Sequence, residues 1–403
     1  YDRPVARIDV VGTKRVNPEA LRNEVTARAG IVVGERVEEE QMITAARLVH
    51  GMGDFERTDV RAHLEEGRKV VVVEVDEKPW GPDYLRLGGR AVADFQTDGR
   101  FALILQHSRT WVNPWGAEWT NIAQLGDVRR FASSFYQPLG PGSRWFAEGT
   151  LQTVKSDLDV FGSGFRRTDR ITNEAHTAFG GFGVRLGNNA VARVHAGYER
   201  TRSTPAISSS LEETLKDDAR FLRLGATYDT LDDANFPRRG VLVGGFATRH
   251  RFGSASDEPV TSYVAEGLFP VTFGRLTFLG LAATGHSLDD RGGFSLGGFL
   301  NLSGTPVGAI AGSHFVAGAL LAYYRMGELP GAAGRSWYAG ASVEAGNAWA
   351  RRSDASIRDL RKAGAVFLGL DTVIGAMYIG YGRTAGGESS AYLFLGRPTD
   401  RLR

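Results

Sequence analysis

The chain has 403 residues, long enough for two or three domains, with a formal net charge of +2 and no cysteine. The near-balanced charge removes any global case for nucleic-acid binding, and the absence of thiols excludes disulfides and thiolate metal sites. No apolar run of about 18 residues exists, which excludes a transmembrane helix but not a membrane crossed by strands of about 9–11 residues, where only every second residue is apolar. The 52 glycines suit bent or closely packed sheets, and the negative mean hydropathy suits a barrel with a polar lumen.

The first segment reads as a small mixed domain. Arg7–Gly12 is a short strand ending in a turn glycine. Asn17-Pro18-Glu19 then supplies an N-cap with proline at the first helical position, and Gly30 stops that helix. A second helix runs from Glu38 to about Met52, with Met42, Ala45, Ala46 and Val49 on one face. Phe55–Leu64 and Lys69–Glu77 follow as strands around a Glu66-Gly67 turn. The order is β-α-α-β-β, with Val10-Val11-Gly12 after the first strand and Gly53-Asp54-Phe55 before the second. This resembles a POTRA (polypeptide-transport-associated) domain, a periplasmic module whose sheet edge can bind extended chains by adding a strand. Other small α+β domains share the order, so the module alone leaves that alternative open.

At Glu77-Lys78-Pro79-Trp80-Gly81-Pro82 the pattern changes. Two prolines restrict this junction, and Trp80 is expected near the periplasmic interface. From Tyr84 onward, apolar and polar residues alternate. Ala192, Val194, Ala196 and Tyr198 interleave with Arg193, His195, Gly197 and Glu199. Leu222, Leu224, Ala226 and Tyr228 interleave with Arg223, Gly225, Thr227 and Asp229. Trp337, Ala339, Ala341 and Val343 interleave with Tyr338, Gly340, Ser342 and Glu344. A lipid-facing side and a wet lumen require this pattern. A soluble sandwich shows it too, but these strands run about 10–14 residues against the usual 5–6. Sixteen strands are counted, starting near Leu85, Phe101, Glu118, Phe131, Trp145, Thr168, Ala190, Arg220, Gly240, Pro259, Arg275, His314, Ser336, Ala363, Ala376 and Ser390. That is roughly 20 residues per strand and turn, ordinary for an even-stranded outer-membrane barrel. Between the eleventh and twelfth lies a long glycine-rich connection, 287–313. Its Phe294, Leu296, Phe299, Leu300 and Leu302 are too apolar for a free linker, so it is expected to pack inside the lumen.

Three motifs carry a family resemblance over the whole chain. Glu77–Leu85, with Thr110-Trp111-Val112-Asn113 and Gly116–Trp119, resembles the POTRA-to-barrel junction of patatin-like type Vd autotransporters. Tyr228-Asp229-Thr230-Leu231-Asp232, then Phe236-Pro237-Arg238-Arg239-Gly240, resembles a strand–turn–strand signature of the wider bacterial surface-antigen superfamily, which includes outer-membrane protein insertases and two-partner secretion transporters. In that superfamily a long extracellular loop folds into the lumen with an Arg-Gly-aromatic tip, whose arginine meets an acidic residue of the inner wall. The matching tip here is Leu302-Ser303-Gly304, and the inner-wall partner is expected at Glu344 and Gly346. Serine replaces the arginine, so a plain hydrogen bond is expected in place of the charge pair. A second departure is the C-terminus, where Phe394 stands in for a terminal aromatic residue and a polar tail follows.

The resemblance implies a 16-stranded antiparallel transmembrane β-barrel (85–398) in the bacterial outer membrane, with residues 1–78 as one periplasmic POTRA domain, 79–84 as linker and 399–403 as tail. It implies a type V secretion translocator that carries or anchors an upstream patatin-like phospholipase passenger. Partners would be the lipid bilayer, lipopolysaccharide, the chain's own passenger and the barrel-assembly machinery. The start at Tyr1, without Met or signal peptide, reads as a product with an upstream part removed. An insertase acting in trans and a soluble β-rich binding protein are the alternatives. Gating is expected at the seam of first and last strands, with Leu85–Gly89 (Leu87, Gly88 and Gly89 at its centre) against Tyr392–Gly396 around Phe394. No catalytic, cofactor or metal residue is assigned. There is no Gly-x-Ser-x-Gly elbow. Asp229, Asp232 and Asp233 read as turn and rim residues, and His195 and His250 as lumen or rim residues. Arg193 and Arg223 are expected to point into the lumen. Trp111, Trp115, Trp119, Trp145, Tyr198, Tyr228 and Trp337 fit interfacial girdles, and the four Arg-Arg pairs read as solvated loop charges or contacts to lipopolysaccharide phosphates.

Overall fold

The computed structural model describes residues 3–79, 81–94, 100–207, 214–253, 258–291, 293–330, 334–372 and 375–396. Trp80, Gly292 and the tail from residue 397 lie outside the described residues.

The N-terminal module begins with β1 (Val5–Val11), followed by α1 (Pro18–Ala29) and α2 (Glu39–Gly51), then β2 (Phe55–Glu65) and β3 (Arg68–Glu77). Local chemistry sets the helix ends. The Asn17 side chain accepts from the backbone N–H of Glu19 and Ala20, and Gly30 closes α1 at φ 71°. β3 is the central strand, parallel to β1 and antiparallel to β2. Its Val71, Val73 and Val75 pack with Ile8, Leu21, Val25, Val49 and Phe55 into one core. Each such buried side chain stabilises by about 1.5–3 kcal/mol.

Sixteen antiparallel strands then close into a barrel. The first eight are β4 (Asp83–Asp94), β5 (Arg100–Arg109), β6 (Glu118–Gly126), β7 (Val128–Pro138), β8 (Trp145–Phe161), β9 (Arg167–Leu186), β10 (Ala190–Ile207) and β11 (Leu215–Asp229). Next come β12 (Leu242–Phe252), β13 (Val260–Phe273) and β14 (Leu276–Ser287). The long connection carries a small separate hairpin, β15 (Phe294–Leu296) with β16 (Ile310–Gly312). The wall resumes with β17 (His314–Glu328), β18 (Gly334–Trp349), β19 (Arg361–Thr372), β20 (Gly375–Thr384) and β21 (Ser389–Leu395). The largest offset from the sequence reading is at β11, which begins at Leu215 rather than Arg220. Lengths also vary more than expected, from 7 residues in β21 to 20 in β9.

Alternation decides which face is which. Val343 is 65% exposed while its neighbour Glu344 is 4% exposed. Val194, Leu222, Leu224 and Tyr228 are likewise outside, whereas Arg193 and His195 meet Glu148 within the barrel. The outer surface is thus an apolar band, the inverse of a water-soluble protein. Among the described residues no helix is long and apolar enough to cross a membrane. Since β4 leaves the module, hairpins alternate between the end near the module (110–117, 139–144, 230–241) and the far end (162–166, 288–313, 350–360, 385–388).

The closing seam differs from the sequence expectation. Among the described residues, β21 meets β4 through Tyr392–Leu395, opposite Asp94–Ala91 in reverse order. Phe394 therefore faces Val92, not Leu87, and Gly88 is not opposite β21 at all. Gly89 does border the strand end, since a Cβ there would lie 2.9 Å from Leu395. The stagger of a tilted closed barrel lifts the contact toward the far end of β4, leaving Asp83–Arg90 without a strand on that edge among the described residues. This register is directly measurable. Cysteines introduced at Val92 and Phe394 should form a disulfide under mild oxidation. The pair Leu87 and Phe394, offset by five residues or roughly 17 Å along the strand, should not, and efficient cross-linking of that pair would refute the register.

Candidate functional site

The long connection between β14 and β17 enters the barrel from the far end and docks on the inner wall of β18, β20 and β21. It is held first by its own backbone: Gly298 N–H donates to Thr305 O, Asn301 N–H to Gly298 O and Thr305 N–H to Leu302 O. Leu300 and Leu302 adopt φ of 53° and 70°, a left-handed conformation unfavourable for branched side chains, and both are buried. Such residues persist where surroundings over-determine them, commonly at functional sites.

At the tip, Ser303 and Glu344 come together. Glu344 accepts from Ser303 N–H at 2.8 Å, from Ser303 Oγ at 2.8 Å and from Ser342 Oγ at 2.6 Å. No cation pairs with Glu344 among the described residues. Gly304 N–H donates to the Tyr392 hydroxyl at 2.8 Å. Gly304 has φ 95°, and a Cβ there would lie 2.7 Å from Glu388 O, so the tip can be seated only by glycine. Gly346, expected beside Glu344, is not at the tip. It packs against the β17 backbone, where a Cβ would come within 2.9 Å of Val316 O. The small residues beneath the tip are instead Gly382, under Ser303, and Gly380, under Phe299. Their signal in the sequence is a glycine at alternate positions of Ile379-Gly380-Tyr381-Gly382.

Aromatic packing continues this docking down the wall. Phe299 lies 5.2 Å from Tyr392, 5.6 Å from Tyr378 and 6.0 Å from Phe394. From the near end, the loop 230–241 brings in Phe236, which stacks on Tyr338 at 4.2 Å and touches Tyr378 at 5.3 Å. Tyr323 donates its hydroxyl to Pro237 O. Tyr378 thus joins the two loops. The carboxylates of this signature shape the turn. Asp229 accepts from Leu231 N–H, Asp232 from Arg238 and Arg239 N–H, and Asp233 from Asn235 and Phe236 N–H. Gly240, at φ 93°, passes so close to Thr230 O that a Cβ would sit 2.0 Å from it. Tyr228 lies outside the wall, exposed.

The opposite wall is polar. Ser134 and Thr150 share a hydrogen bond of 3.0 Å, Arg130 donates to Gln152, and His195 and Arg193 converge on Glu148 at 2.6 and 3.0 Å. Arg223 donates to Thr248. The lumen therefore has a dry, plugged side and a side where these polar and charged pairs are interleaved with packed aromatics, Tyr136 on Phe146 and Phe179 on Phe221. The β8–β9 hairpin spans the mouth from the polar side. Its tip residue Phe165 packs with the cluster of Leu302, Ile310 and Phe315 on the far wall, under Arg361 at 5.2 Å. Phe165 was not legible as functional, because nothing local distinguishes it from any loop aromatic.

At the near end the junction is rigidly bonded. The Glu77 side chain, 2% exposed, accepts from the N–H groups of Lys14, Arg15 and Val16. Lys78 donates its N–H to Asp54 O and its Nζ to Gly53 O. Pro79 follows Lys78 out of the module, and Gly81 N–H returns to Lys78 O while Pro82 O accepts from Thr110 N–H. Asp54 then accepts from the Tyr84 hydroxyl and from Trp111 Nε1. This corrects the reading of Trp111: it packs against the module core rather than in an interfacial girdle. Trp115, Trp119, Trp145 and Tyr198 are exposed on the outside.

The fold is similar to solved barrels. It matches BamA from Haemophilus ducreyi lacking POTRA domains 1–3 at a TM-score of 0.76, 13% identity, covering 98% of this chain and 84% of that one. CdiB from Acinetobacter baumannii matches at 0.61 and 9% identity, covering 98% and 73%. CdiB from Escherichia coli matches at 0.57 and 16% identity, covering 98% and 76%. No protein-family profile and no curated protein matches the sequence.

Two outcomes follow from these contacts. Ser303→Ala keeps the N–H bond to Glu344 but loses the hydroxyl bonds, costing about 1–2 kcal/mol, and should speed amide exchange across 298–305 while leaving the wall strands protected. Burial alone would raise the Glu77 pKa, but the three N–H donors outweigh it and hold the carboxyl below its ordinary value. That stabilisation is complete above the unfolded value of 4.5 and is lost as pH falls through the lower folded value. The protection factors of Lys14–Val16, exchange rates taken relative to the unstructured rate at the same pH, should therefore fall on acidification in the wild type. In Glu77→Gln they should already be low at neutral pH, with the acid dependence gone.

Proposed function

We propose that this chain is an outer-membrane translocator of the type V class, with its N-terminal module acting as a periplasmic POTRA domain. The observation that carries the reading is the pairing of an apolar outer band with a half-plugged, half-polar lumen. Leucine, valine and aromatic side chains cover the barrel's outside, and an apolar surface of that extent is stable only against lipid. The lumen loop is held by hydrogen bonds and aromatic packing rather than a charge pair, so it can be withdrawn. The polar wall of β5–β11 then offers a wet path for an extended chain. The 98% coverage by the BamA alignment supports treating module and barrel as one unit.

The passenger is the finer part of the proposal. The junction motif and the serine-bearing tip resemble the patatin-linked branch, so the passenger is taken as a covalently linked patatin-like phospholipase upstream, and this chain is assigned no catalysis of its own. Lipopolysaccharide and the barrel-assembly machinery are the remaining proposed partners. The second reading is an insertase acting in trans, because the β4–β21 closure is the contact that would have to open to template a new strand.

Three measurements separate the readings. Heat-modifiable migration and a need for detergent are expected, and a detergent-free monomer that migrates normally would sink the membrane assignment. A disulfide between Val92→Cys and Phe394→Cys should abolish surface display of the passenger, with recovery on reduction; undiminished display in the locked form would remove the seam from the mechanism. The gene upstream of Tyr1 should encode a patatin-like domain, whereas further POTRA repeats there would favour the insertase.

A further inference from the structure

The outer face of β10, β11 and β12 changes abruptly toward the far end. Residues directly opposed in neighbouring strands share a face. Tyr198 lies opposite Arg220, and Leu222 opposite Arg249. Tyr198 and Leu222 belong to the exposed apolar band, so Arg220 and Arg249 stand on the same outer surface. One step further out, Arg220 lies opposite Arg251 and Arg202 opposite Lys216. All five of these cations are exposed, and none makes an ion pair among the described residues. Like charges directly opposed across a ladder are destabilising, and here the arrangement occurs twice on one face. The neighbouring carboxylates are engaged elsewhere. Asp218 holds Arg200 at 2.9 Å, and Glu174 lies near Lys155 and His176. A groove of about 610 Å³ runs past Arg200, Arg202, Lys216 and Asp218.

We propose that this face is a binding site for a phosphorylated, acylated glycolipid of the outer leaflet. The inference rests on the membrane reading given above. Acyl chains would lie against Val194, Leu222 and Leu224, and the phosphates would sit between Arg220, Arg249 and Arg251. Charge and geometry agree on this occupant. The cations begin where the apolar band ends, which is the depth of a lipid headgroup, and an added anion relieves both like-charge pairs. A soluble acidic protein would meet the cations but not the leucines immediately below them.

The test uses the full chain in lipid nanodiscs containing a bis-phosphorylated lipid A among phosphatidylcholine, with bound glycolipid counted by native mass spectrometry. The wild type should enrich lipid A, and the same glycolipid stripped of its phosphates should not be enriched. The triple variant Arg220→Gln/Arg249→Gln/Arg251→Gln should lose enrichment by about tenfold or more, since each surface cation contributes roughly a factor of five. Arg202→Gln/Lys216→Gln, at the other edge of the patch, should show a smaller loss and serves if the triple variant does not fold. Equal enrichment by wild type and both variants, or enrichment that ignores the phosphates, overturns the site. A chain that enters pure phosphatidylcholine bilayers normally but shows no enrichment overturns the site alone. A chain that enters no bilayer overturns the membrane reading with it.

Discussion

The arrangement inside this barrel depends on one buried carboxylate that has no cation among the described residues. Glu344 sits in the inner wall, and its stability there depends on hydrogen-bond donors. Two of the three come from Ser303 at the loop tip, so neither the wall nor the loop is satisfied without the other. A serine latch behaves differently from an arginine latch. Coulomb attraction falls slowly with distance, whereas a hydrogen bond of 2.8 Å is lost within a fraction of an ångström. The tip therefore has a short-range hold that releases over a small displacement. The same tip bonds Tyr392 through Gly304, and Tyr392 belongs to the seam strand β21. Seating the loop thus braces the seam from inside.

Packing extends that influence along the barrel axis. Phe299 arrives from the far end and Phe236 from the near end, and both contact Tyr378. A close-packed aromatic column transmits displacement because its members cannot shift independently. The opposite wall has aromatics too, with Tyr136 on Phe146 and Phe221 between Phe179 and His250, but they are interleaved with Glu148, Arg193 and Arg223. The two halves of the lumen therefore differ in charge, and the loop packs on the uncharged aromatic half.

Much of this was legible in the sequence, because alternation with period two is a local signal. The strand count, the lumen connection, and the candidates Ser303 and Glu344 could all be picked out from residue pattern and family motif. What could not be read depends on how strands meet after closure. The seam register follows from barrel stagger, a global property, so Leu87 and Gly88 were placed opposite a strand end that meets Val92. Trp111 has the composition of a girdle residue, yet its indole N–H is taken by Asp54, a residue 57 positions earlier. Gly346 and Gly382 are equally small and equally inward, and only the path of the loop decides which one lies beneath Ser303.

The seam and the module are connected more directly than the chain order requires. Asp54 bonds Tyr84 and Trp111, and these residues flank the near end of β4 and of the β4–β5 pair. That end of β4 pairs with β5, and among the described residues β21 reaches β4 only at Ala91–Asp94. A rotation of the module is therefore delivered first to the β4–β5 edge of the seam. The Glu77 carboxylate, clasped by three backbone N–H groups, keeps the module's last strand from unravelling under the same load. On the translocator reading, the module acts through Asp54 on the seam strand β4, and the loop tip on Tyr392 sets how firmly its partner β21 resists.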